Sequence, residues 1–222
     1  MKVSDLEAAL RRSILHGEFA PDSWLRMEEL KARFAVGFSP IREALSRLVG
    51  EGLIDFEVNR GFRVHGLSLA DLTDIAVTRT AVEVMALRRS IALGDDRWEA
   101  AVVGAMHHYR RKAALAFSTD EDLANWEMAH DELHAALISA CGSPRLMALQ
   151  QRLQEQHLRY RRLIVVPQVA QEAHVSEHEQ LVDYVLARDV DAALAHIERH
   201  MMITVDALKS ANFWEAEPAS RG

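Results

Sequence analysis

Two histidines of this 222-residue chain, His130 and His134, stand four positions apart. If the stretch around them is helical, both side chains leave the same face and could hold a single metal ion. Imidazole nitrogen suits zinc, nickel or cobalt, of which zinc is the metal predicted here. Two ordinary surface or core histidines would show the same spacing, since eleven histidines are scattered along the chain. The pair alone therefore leaves both interpretations open.

Side chains that could read DNA lie in the first third of the chain. Apolar residues at positions 41, 44, 45 and 48 follow helical spacing, so one face of a helix over 40–50 would pack inward. Arg42 and Arg47 fall on the other face, and arginine can bind guanine bidentately in the major groove. Pro40 suits the first turn of this helix, and Ser39 can cap its free amides or offer its hydroxyl to a phosphate. The pattern is typical of a recognition helix.

The elements that would position this helix are those of a winged helix-turn-helix. An amphipathic first helix and a second helix over 27–34 precede it. After it, β-branched and aromatic residues at 53–58 and 62–65 predict two short strands around the turn at Asn59-Arg60-Gly61. This hairpin would be the wing, and we expect a DNA-binding domain over residues 1–66.

The rest of the chain is predicted to be helical. From residue 69 onward the apolar residues recur about every 3.6 positions, and five breaks interrupt the pattern. Six helices of this length suit an antiparallel bundle, expected over residues 67–212, with a flexible tail at 213–222. The predicted fold class is mainly α, a winged helix-turn-helix followed by an all-helical antiparallel bundle of about six helices. The expected helices span 69–93, 96–117, 120–140, 144–165, 168–187 and 189–211.

The distribution of charge limits how the chain can bind DNA. The net charge is −7, yet residues 1–66 hold ten basic and ten acidic side chains, and the acidic excess lies in residues 67–222. A DNA-binding segment without net charge is not a general polyanion binder. Its affinity for DNA must come from a few arginines at defined positions, and formation of a homodimer would double the number of these arginines.

The cysteine content and the hydropathy pattern indicate the compartment. The single Cys141 cannot form an intramolecular disulfide and fits a reducing environment. No apolar run approaches the roughly 18 residues that span a bilayer, and the N-terminus lacks the apolar core of a signal peptide. We therefore expect a cytoplasmic protein with no membrane partner.

Two parts of the chain carry short sequence motifs. The first part carries Gly17-Glu18 with Pro21, Ser39-Pro40-Ile41-Arg42-Glu43-Ala44-Leu45, Glu51-Gly52-Leu53-Ile54 and Asn59-Arg60-Gly61-Phe62-Arg63-Val64. The second part carries Arg79-Thr80-Ala81-Val82-Glu83, Leu133-His134-Ala135-Ala136-Leu137, Glu177-His178 and His200. With these motifs, residues 1–66 resemble the winged helix-turn-helix of the GntR family of bacterial transcription regulators. Residues 67–212 resemble the all-helical effector domain, called FCD, of the FadR-type branch of that family.

The resemblance implies a set of DNA contacts. Many relatives carry an arginine two residues before the proline of the recognition helix, where this chain has Phe38, and a small hydroxyl residue where it has Gly37. The implied contacts come from the rest of that helix and from the wing, whose glycine lets the backbone approach the minor groove. They are Ser39, Arg42, Arg47, Asn59, Arg60 and Gly61.

The resemblance also implies a metal site. Relatives place an aspartate or asparagine four residues before a histidine on one helix, and two further histidines on the last two helices. His134, His178 and His200 match this pattern. Because His130 stands at the acidic position, the implied ligand set is four histidines around a divalent transition metal.

Arginines are candidates for holding the small carboxylate that such a metal would attract. Arg79 is expected to fix the second end of this effector. Its spacing to Glu83 also fits an ordinary surface ion pair on a helix. The run Arg159, Arg161 and Arg162 is typical of a solvated basic face, although one of the three could point inward.

Three functions fit these patterns. The leading one is a ligand-responsive repressor or activator, with a repressor favoured, that binds a short palindromic operator as a homodimer and is controlled by a small organic acid at the metal. The alternative is a metal-dependent hydrolase that uses the histidine cluster. Against it, the sequence His130-Asp131-Glu132-Leu133-His134 lacks the glutamate that zinc peptidases place directly after the first histidine. The third is a DNA-binding protein whose bundle only dimerises.

Overall fold

A computed structural model of the protein describes residues 2–115, 119–164 and 171–213. Nine helices and one two-stranded sheet occupy these residues, which confirms the predicted fold class. None of the described helices combines the length and the apolarity that a membrane crossing needs. The elements are α1 (Val3–Leu15), α2 (Met27–Phe34), α3 (Phe38–Val49), β1 (Ile54–Glu57), β2 (Gly61–Val64), α4 (Leu69–Leu93), α5 (Asp96–Ala113), α6 (Asp120–Ile138), α7 (Pro144–Ile164), α8 (Gln171–Leu186) and α9 (Val190–Ser210).

The N-terminal helices and the sheet enclose one hydrophobic core. Apolar side chains of α1, α2 and α3 meet in this core, and the hairpin of β1 and β2 covers it. The strands pair antiparallel, with Ile54 opposite Val64. An isolated bridge from Trp24 to Arg63 adds a third stretch of chain to the sheet. This is the winged helix-turn-helix that the apolar spacing and the strand pattern predicted.

The recognition helix begins two residues earlier than the sequence indicated. α3 starts at Phe38, and its N-cap is Gly37, which forms no side-chain cap. Pro40 then lies within the first turn, where its missing N–H has no intrahelical partner to lose. The cap predicted for Ser39 is wrong, because Ser39 lies inside this turn with its side chain exposed.

Six helices, α4 to α9, follow in the order predicted for the bundle. Their ends differ by a few residues from the expected ones, most at α5, which ends at Ala113. Parts of the predicted helices and tail lie outside the described residues, namely 116–117, 165, 168–170 and 214–222. Side chains from α4, α5, α6, α8 and α9 form the main core of the bundle. α7 adds no fully buried side chain to that core; its buried residues are largely polar.

α7 also contacts the winged helix. Leu158 packs into the core formed by α1, α2 and α3. Gln156 Nε2 donates a hydrogen bond to the carbonyl oxygen of Glu51 at 2.7 Å. The guanidinium group of Arg159 donates to the carbonyl oxygen of His65, just before α4 begins. One helix of the bundle therefore holds the winged helix-turn-helix through both apolar and polar contacts.

His65 makes this junction sensitive to pH. The carboxylates of Asp71 and Asp55 flank its ring, with Asp55 Oδ1 at 2.8 Å from Nδ1. They raise the pKa of His65 to about 9. Because an unfolded histidine has a pKa of about 6.5, the resulting stabilisation is fully present below that pH and is lost as the pH rises through about 9.

We expect the free energy of unfolding to depend on His65 between about pH 6.5 and about pH 9.5. Since the side chain is partly exposed, solvent screening limits the expected effect to about 1 kcal/mol. Urea titrations with a chelator present measure the free energy of unfolding at each pH. Over this pH range, the free energy of unfolding should fall more in the wild type than in a His65→Gln variant, by the amount given above. A His107→Gln variant, which changes an exposed histidine of α5, should follow the wild type. Equal falls in wild type and His65→Gln would contradict the assignment.

Candidate functional site

Four histidines converge inside the helical bundle. His130 and His134 lie on α6, His178 lies on α8 and His200 lies on α9. If one ring nitrogen is taken from each histidine, the four nitrogens all lie within 4.8 Å of one another. The ring centroids of His134 and His200 are 5.1 Å apart, and those of His178 and His200 are 4.5 Å apart. The structure thus brings together all four histidines predicted as ligands.

Three of these rings are oriented by a hydrogen bond from Nδ1. The partner in each case is an oxygen that can only accept, so Nδ1 carries the proton and Nε2 keeps the lone pair. Outer acceptors of this kind fix the tautomer of a metal-binding histidine and raise its basicity. The distances are 3.1 Å from His134 to Glu83 Oε2, 2.6 Å from His178 to the carbonyl oxygen of His174, and 2.9 Å from His200 to Glu177 Oε2.

The inner nitrogens fit a metal. Nε2 of His134 and Nε2 of His178 are buried and have no hydrogen-bond partner within the described residues. A buried polar atom without a partner is costly, and a bound ligand would remove that cost. Burial and the neighbouring histidines lower the pKa of His178 and of His200 well below the usual value. These rings are therefore neutral, with lone pairs that suit zinc, nickel or cobalt.

Arg79 and Glu83 form a buried ion pair on α4, so the alternative of a surface pair is wrong. They are 2% and 1% exposed, and Arg79 Nε donates to Glu83 Oε1 at 2.7 Å. Burial acts to raise the pKa of Glu83, but Arg79 and His134 hold it well below its usual range. Arg79 Nη2 is buried and has no hydrogen-bond partner in the described part of the chain. One guanidinium nitrogen is thus left for an anionic ligand.

Two arginines of the basic run of α7 are buried, so the prediction of a solvated face is wrong. Arg159 and Arg161 are 7% and 6% exposed, and Arg162 pairs with a buried glutamate of α6. Arg161 Nη1 lies 2.7 Å from His130 Nδ1. Both terminal nitrogens of Arg161 also donate to Asp131 Oδ1 at 3.2 Å. Charged groups tolerate burial here because each meets an oppositely charged or accepting partner.

The predicted DNA-contacting residues of α3 are exposed. Arg42 forms no ion pair with any described residue, so its guanidinium group is available to a base. Arg47 is paired with Glu43 at 2.7 Å and with Glu7 at 3.2 Å. DNA would therefore have to replace two carboxylates at Arg47, whereas it would replace only water at Arg42.

The wing turn has the backbone that its sequence predicts. Asn59 and Gly61 have φ angles of 66° and 99°, in the left-handed region that favours asparagine and glycine. The guanidinium carbon of Arg60 lies 4.4 Å from the ring centroid of Trp24. Arg60 Nη1 also forms an ion pair with Glu57 Oε2 at 2.9 Å. Trp24 is a wing residue that the sequence patterns did not reveal, since it stands before α2.

Two protein-family models together cover most of the chain. The model described as bacterial regulatory proteins, gntR family, matches residues 2–64. The model of the FCD domain matches residues 74–202. The chain belongs to the GntR family. It is a DNA-binding transcriptional regulator with an FCD domain, and the resemblance expected from its motifs is confirmed.

Whole-length relatives of this GntR-family chain are transcriptional regulators. The chain is 34% identical over 207 residues to the HTH-type transcriptional repressor GlaR of Escherichia coli (strain K12), covering 91% of this chain and 93% of that protein. It is 38% identical over 202 residues to the HTH-type transcriptional regulator BphR of Paraburkholderia xenovorans (strain LB400), covering 90% and 82%. These relatives indicate a regulator and not an enzyme, and the hydrolase alternative has no support.

Two solved structures have a similar fold over almost the whole chain. E. coli McbR/YncC has a TM-score of 0.77 at 18% identity, covering 95% of this chain and 98% of that one. A putative transcriptional regulator GntR from Rhodococcus sp. RHA1 has a TM-score of 0.75 at 22% identity, covering 97% and 99%. At these identities the likeness concerns the fold.

The polar lining supplied by α7 was missed by sequence reasoning. Gln150 Nε2 donates to Glu83 Oε1 at 3.3 Å, and Gln154 donates to Asp131. His157 is buried, with its Nδ1 3.3 Å from Arg79 Nη1. Positions 150, 154, 157 and 161 share one helical face, which was a usable signal. A polar face is usually the solvent face, and for that reason the spacing did not point inward.

Phe38 stands where the resemblance to the GntR family leads one to expect arginine. Its side chain is 42% exposed at the start of α3. Lys31 Nζ, from α2, lies 4.8 Å from the centroid of its ring. This cation–π contact holds a positive charge beside the first turn of the recognition helix.

Proposed function

We propose that this GntR-family protein is a ligand-responsive repressor that binds a palindromic operator as a homodimer. A small organic acid, bound at a divalent metal in the helical bundle, would control its affinity for DNA. The observation that carries the proposal is the buried convergence of histidine nitrogens without hydrogen-bond partners, in a chain that also holds a winged helix-turn-helix. GlaR is named a repressor, which supports the proposed sign of regulation.

The proposal assigns a role to each part of the chain. Residues 1–66 would be the DNA-binding domain, residues 67–212 the effector-binding and dimerisation domain, and residues 213–222 a flexible tail. A two-fold dimer would present two recognition helices to half-sites about one helical turn of DNA apart, which requires a palindrome. The residues proposed to contact DNA are Ser39, Arg42, Arg47, Asn59, Arg60 and Gly61.

The metal would be held by His134, His178 and His200 through Nε2. Zinc is the expected ion, with nickel or cobalt as alternatives. When bound, it would supply open coordination positions for a carboxylate oxygen. Arg79 would donate from Nη2 to the other end of the acid. Because Glu83 contacts both Arg79 and His134, a single buried carboxylate holds both groups in register.

Communication with the DNA-binding domain would run through α7. Its face at positions 150, 154, 157 and 161 borders the histidine cluster, and these side chains are buried. Other residues of the same helix, Gln156, Leu158 and Arg159, contact the winged helix. Suppose that α7 can adopt two positions in the bundle and that the ligand binds more tightly when α7 is in one of them. Ligand binding would then shift the orientation of the DNA-binding domains. Such coupling between sites typically amounts to about 1–3 kcal/mol.

The proposal is tested first by metal analysis and ligand screening. Full-length protein, purified without added metal or an affinity tag, should contain about one metal ion per chain. In a thermal-shift screen of small mono- and dicarboxylates, an active acid should raise the melting temperature of the metal-loaded protein only. The same acid should change the affinity for a duplex selected by the protein from random DNA. Absence of metal after loading with zinc, nickel and cobalt would reject the metal site and leave a dimeric DNA-binding protein.

A further inference from the structure

His130 differs from the other histidines of the cluster in the partner of its Nδ1 atom. That atom lies 2.7 Å from Arg161 Nη1. A guanidinium group only donates hydrogen bonds, so His130 Nδ1 must accept and must carry the lone pair. His130 therefore bears its proton on Nε2. In contrast, His134 and His178 donate from Nδ1 and keep the lone pair on Nε2.

Asp131 supports this tautomer of His130. Its Oδ1 lies 3.2 Å from His130 Nδ1, a longer distance than the contact from Arg161. The same oxygen accepts from both terminal nitrogens of Arg161 and from Gln154 Nε2, so its lone pairs are already engaged. A proton on His130 Nδ1 would also point at an N–H group of Arg161. Asp131 thus fixes Arg161, and Arg161 orients the ring of His130.

We infer that His130 is a hydrogen-bond donor to a bound oxyanion and not a fourth metal ligand, an inference that rests on the proposed metal site. A nitrogen that carries a proton has no lone pair for a metal, and the other nitrogen is engaged by Arg161. The ring centroid of His130 lies 4.6 Å from that of His134 and 4.9 Å from that of His178. From there its Nε2–H can reach an oxygen atom held between those rings. Arg161 is a positioning residue for this donor.

The charges around the cluster favour an anionic ligand of this kind. Arg79 and Arg161 are each paired with one carboxylate, those of Glu83 and Asp131. With His130 neutral, these pairs leave no charge to balance a metal dication, and Glu177, which accepts from His200 Nδ1, would balance only part of it. A carboxylate oxygen could both neutralise the metal and accept the hydrogen bond from His130. A neutral amine has a single lone pair, so it could not bind the metal and accept this hydrogen bond at the same time, and it would leave the charge of the metal unbalanced. His130 would therefore help to select an oxyanion.

The tautomer can be observed directly. Long-range ¹H–¹⁵N spectra of the full-length protein with labelled histidine should show His130 protonated at Nε2 and unprotonated at Nδ1, both in chelator and after addition of Zn²⁺. The His130→Gln variant identifies its signals. In an Arg161→Met variant, the preference for this tautomer should disappear. A proton on His130 Nδ1 in the wild type, or loss of the Nε2 proton when Zn²⁺ is added, would overturn the inference.

Metal affinity separates a donor from a ligand. In competition with a chelator, His130→Gln should keep the Zn²⁺ affinity within about threefold of the wild type, whereas His134→Gln should lose about 100-fold or more. Equal losses in the two variants would overturn the inference. If the wild type binds no Zn²⁺, the proposed function fails on its own, and the spectra of the metal-free protein still test the tautomer.

Acetate is a probe for the hydrogen bond itself. Its binding to the Co²⁺-loaded protein can be followed by the visible spectrum of the metal. A His130→Leu variant should bind acetate about tenfold more weakly, because a hydrogen bond to a charged group is lost. The His130→Gln variant should recover part of this loss, since its amide can donate. Unchanged acetate affinity in His130→Leu would contradict the donor role.

Discussion

Replacement of Arg42 by alanine is expected to remove sequence-specific DNA binding while leaving the fold unchanged. Arg42 is exposed on α3 and forms no ion pair with any described residue, so its loss breaks no ion pair of the described part of the chain. A bidentate contact from arginine to guanine contributes about 1–3 kcal/mol to discrimination, and a dimer would make it twice. We therefore expect the affinity for a duplex selected by the wild type to fall about 30-fold or more. Fluorescence anisotropy at fixed salt measures this change.

A matched variant separates base recognition from the loss of one charge. Arg97 is exposed in the first turn of α5, which packs against α6 and α8. Arg97→Ala removes the same charge outside the winged helix and should change the affinity by less than about twofold. Both variants should melt at the temperature of the wild type. Normal operator binding by Arg42→Ala would show that α3 is not the recognition helix, and equal losses in both variants would indicate a general electrostatic effect.

The winged helix-turn-helix could be predicted because its signals are local. The apolar face of α3 and the turn around Gly61 depend on neighbours within a few positions. The sequence predicts too late a start for α3 because Ser39-Pro40 is a common helix start, whereas Gly37 occupies the N-cap in the structure. Local propensity therefore predicts the helix but not its first residue.

The histidine cluster could be predicted only in part. Helical spacing brought His130 and His134 to one face, but nothing local connects them with His178 and His200 on other helices. The resemblance to relatives supplied that connection. The acceptors Glu83 and Glu177 followed only from the packing of α4 and α8 beside these rings.

The inward face of α7 shows why polar patterns mislead. Arg161 and Gln154 are charged or polar at positions that would ordinarily face water. They are buried because Asp131, on α6, accepts from both. Burial of a polar helix face requires partners from other helices, and sequence spacing within one helix cannot identify these partners.

Replacement of His178 by alanine is expected to abolish stable metal binding. His178 is 1% exposed, its Nδ1 is bound by a carbonyl oxygen and its Nε2 has no hydrogen-bond partner within the described residues. Loss of an outer-shell partner alone typically costs 10–100-fold in metal affinity. Loss of the ligand itself should therefore lower the Zn²⁺ affinity by about 100-fold or more. The rise in melting temperature on addition of Zn²⁺ should disappear with it, because that rise reflects binding to the folded state.

The control for this variant is His107→Ala, which removes an exposed histidine from α5. It should bind Zn²⁺ as the wild type does and show the same rise in melting temperature. Comparison of the melting temperatures of the metal-free proteins gives the destabilisation that is caused by the cavity at position 178 in His178→Ala. Should His178→Ala fail to fold, His178→Gln keeps a polar side chain of similar size and answers the same question. Zn²⁺ binding of wild-type strength in a folded His178 variant would show that the metal lies elsewhere, and the coupling proposed through α7 would then lose its ligand.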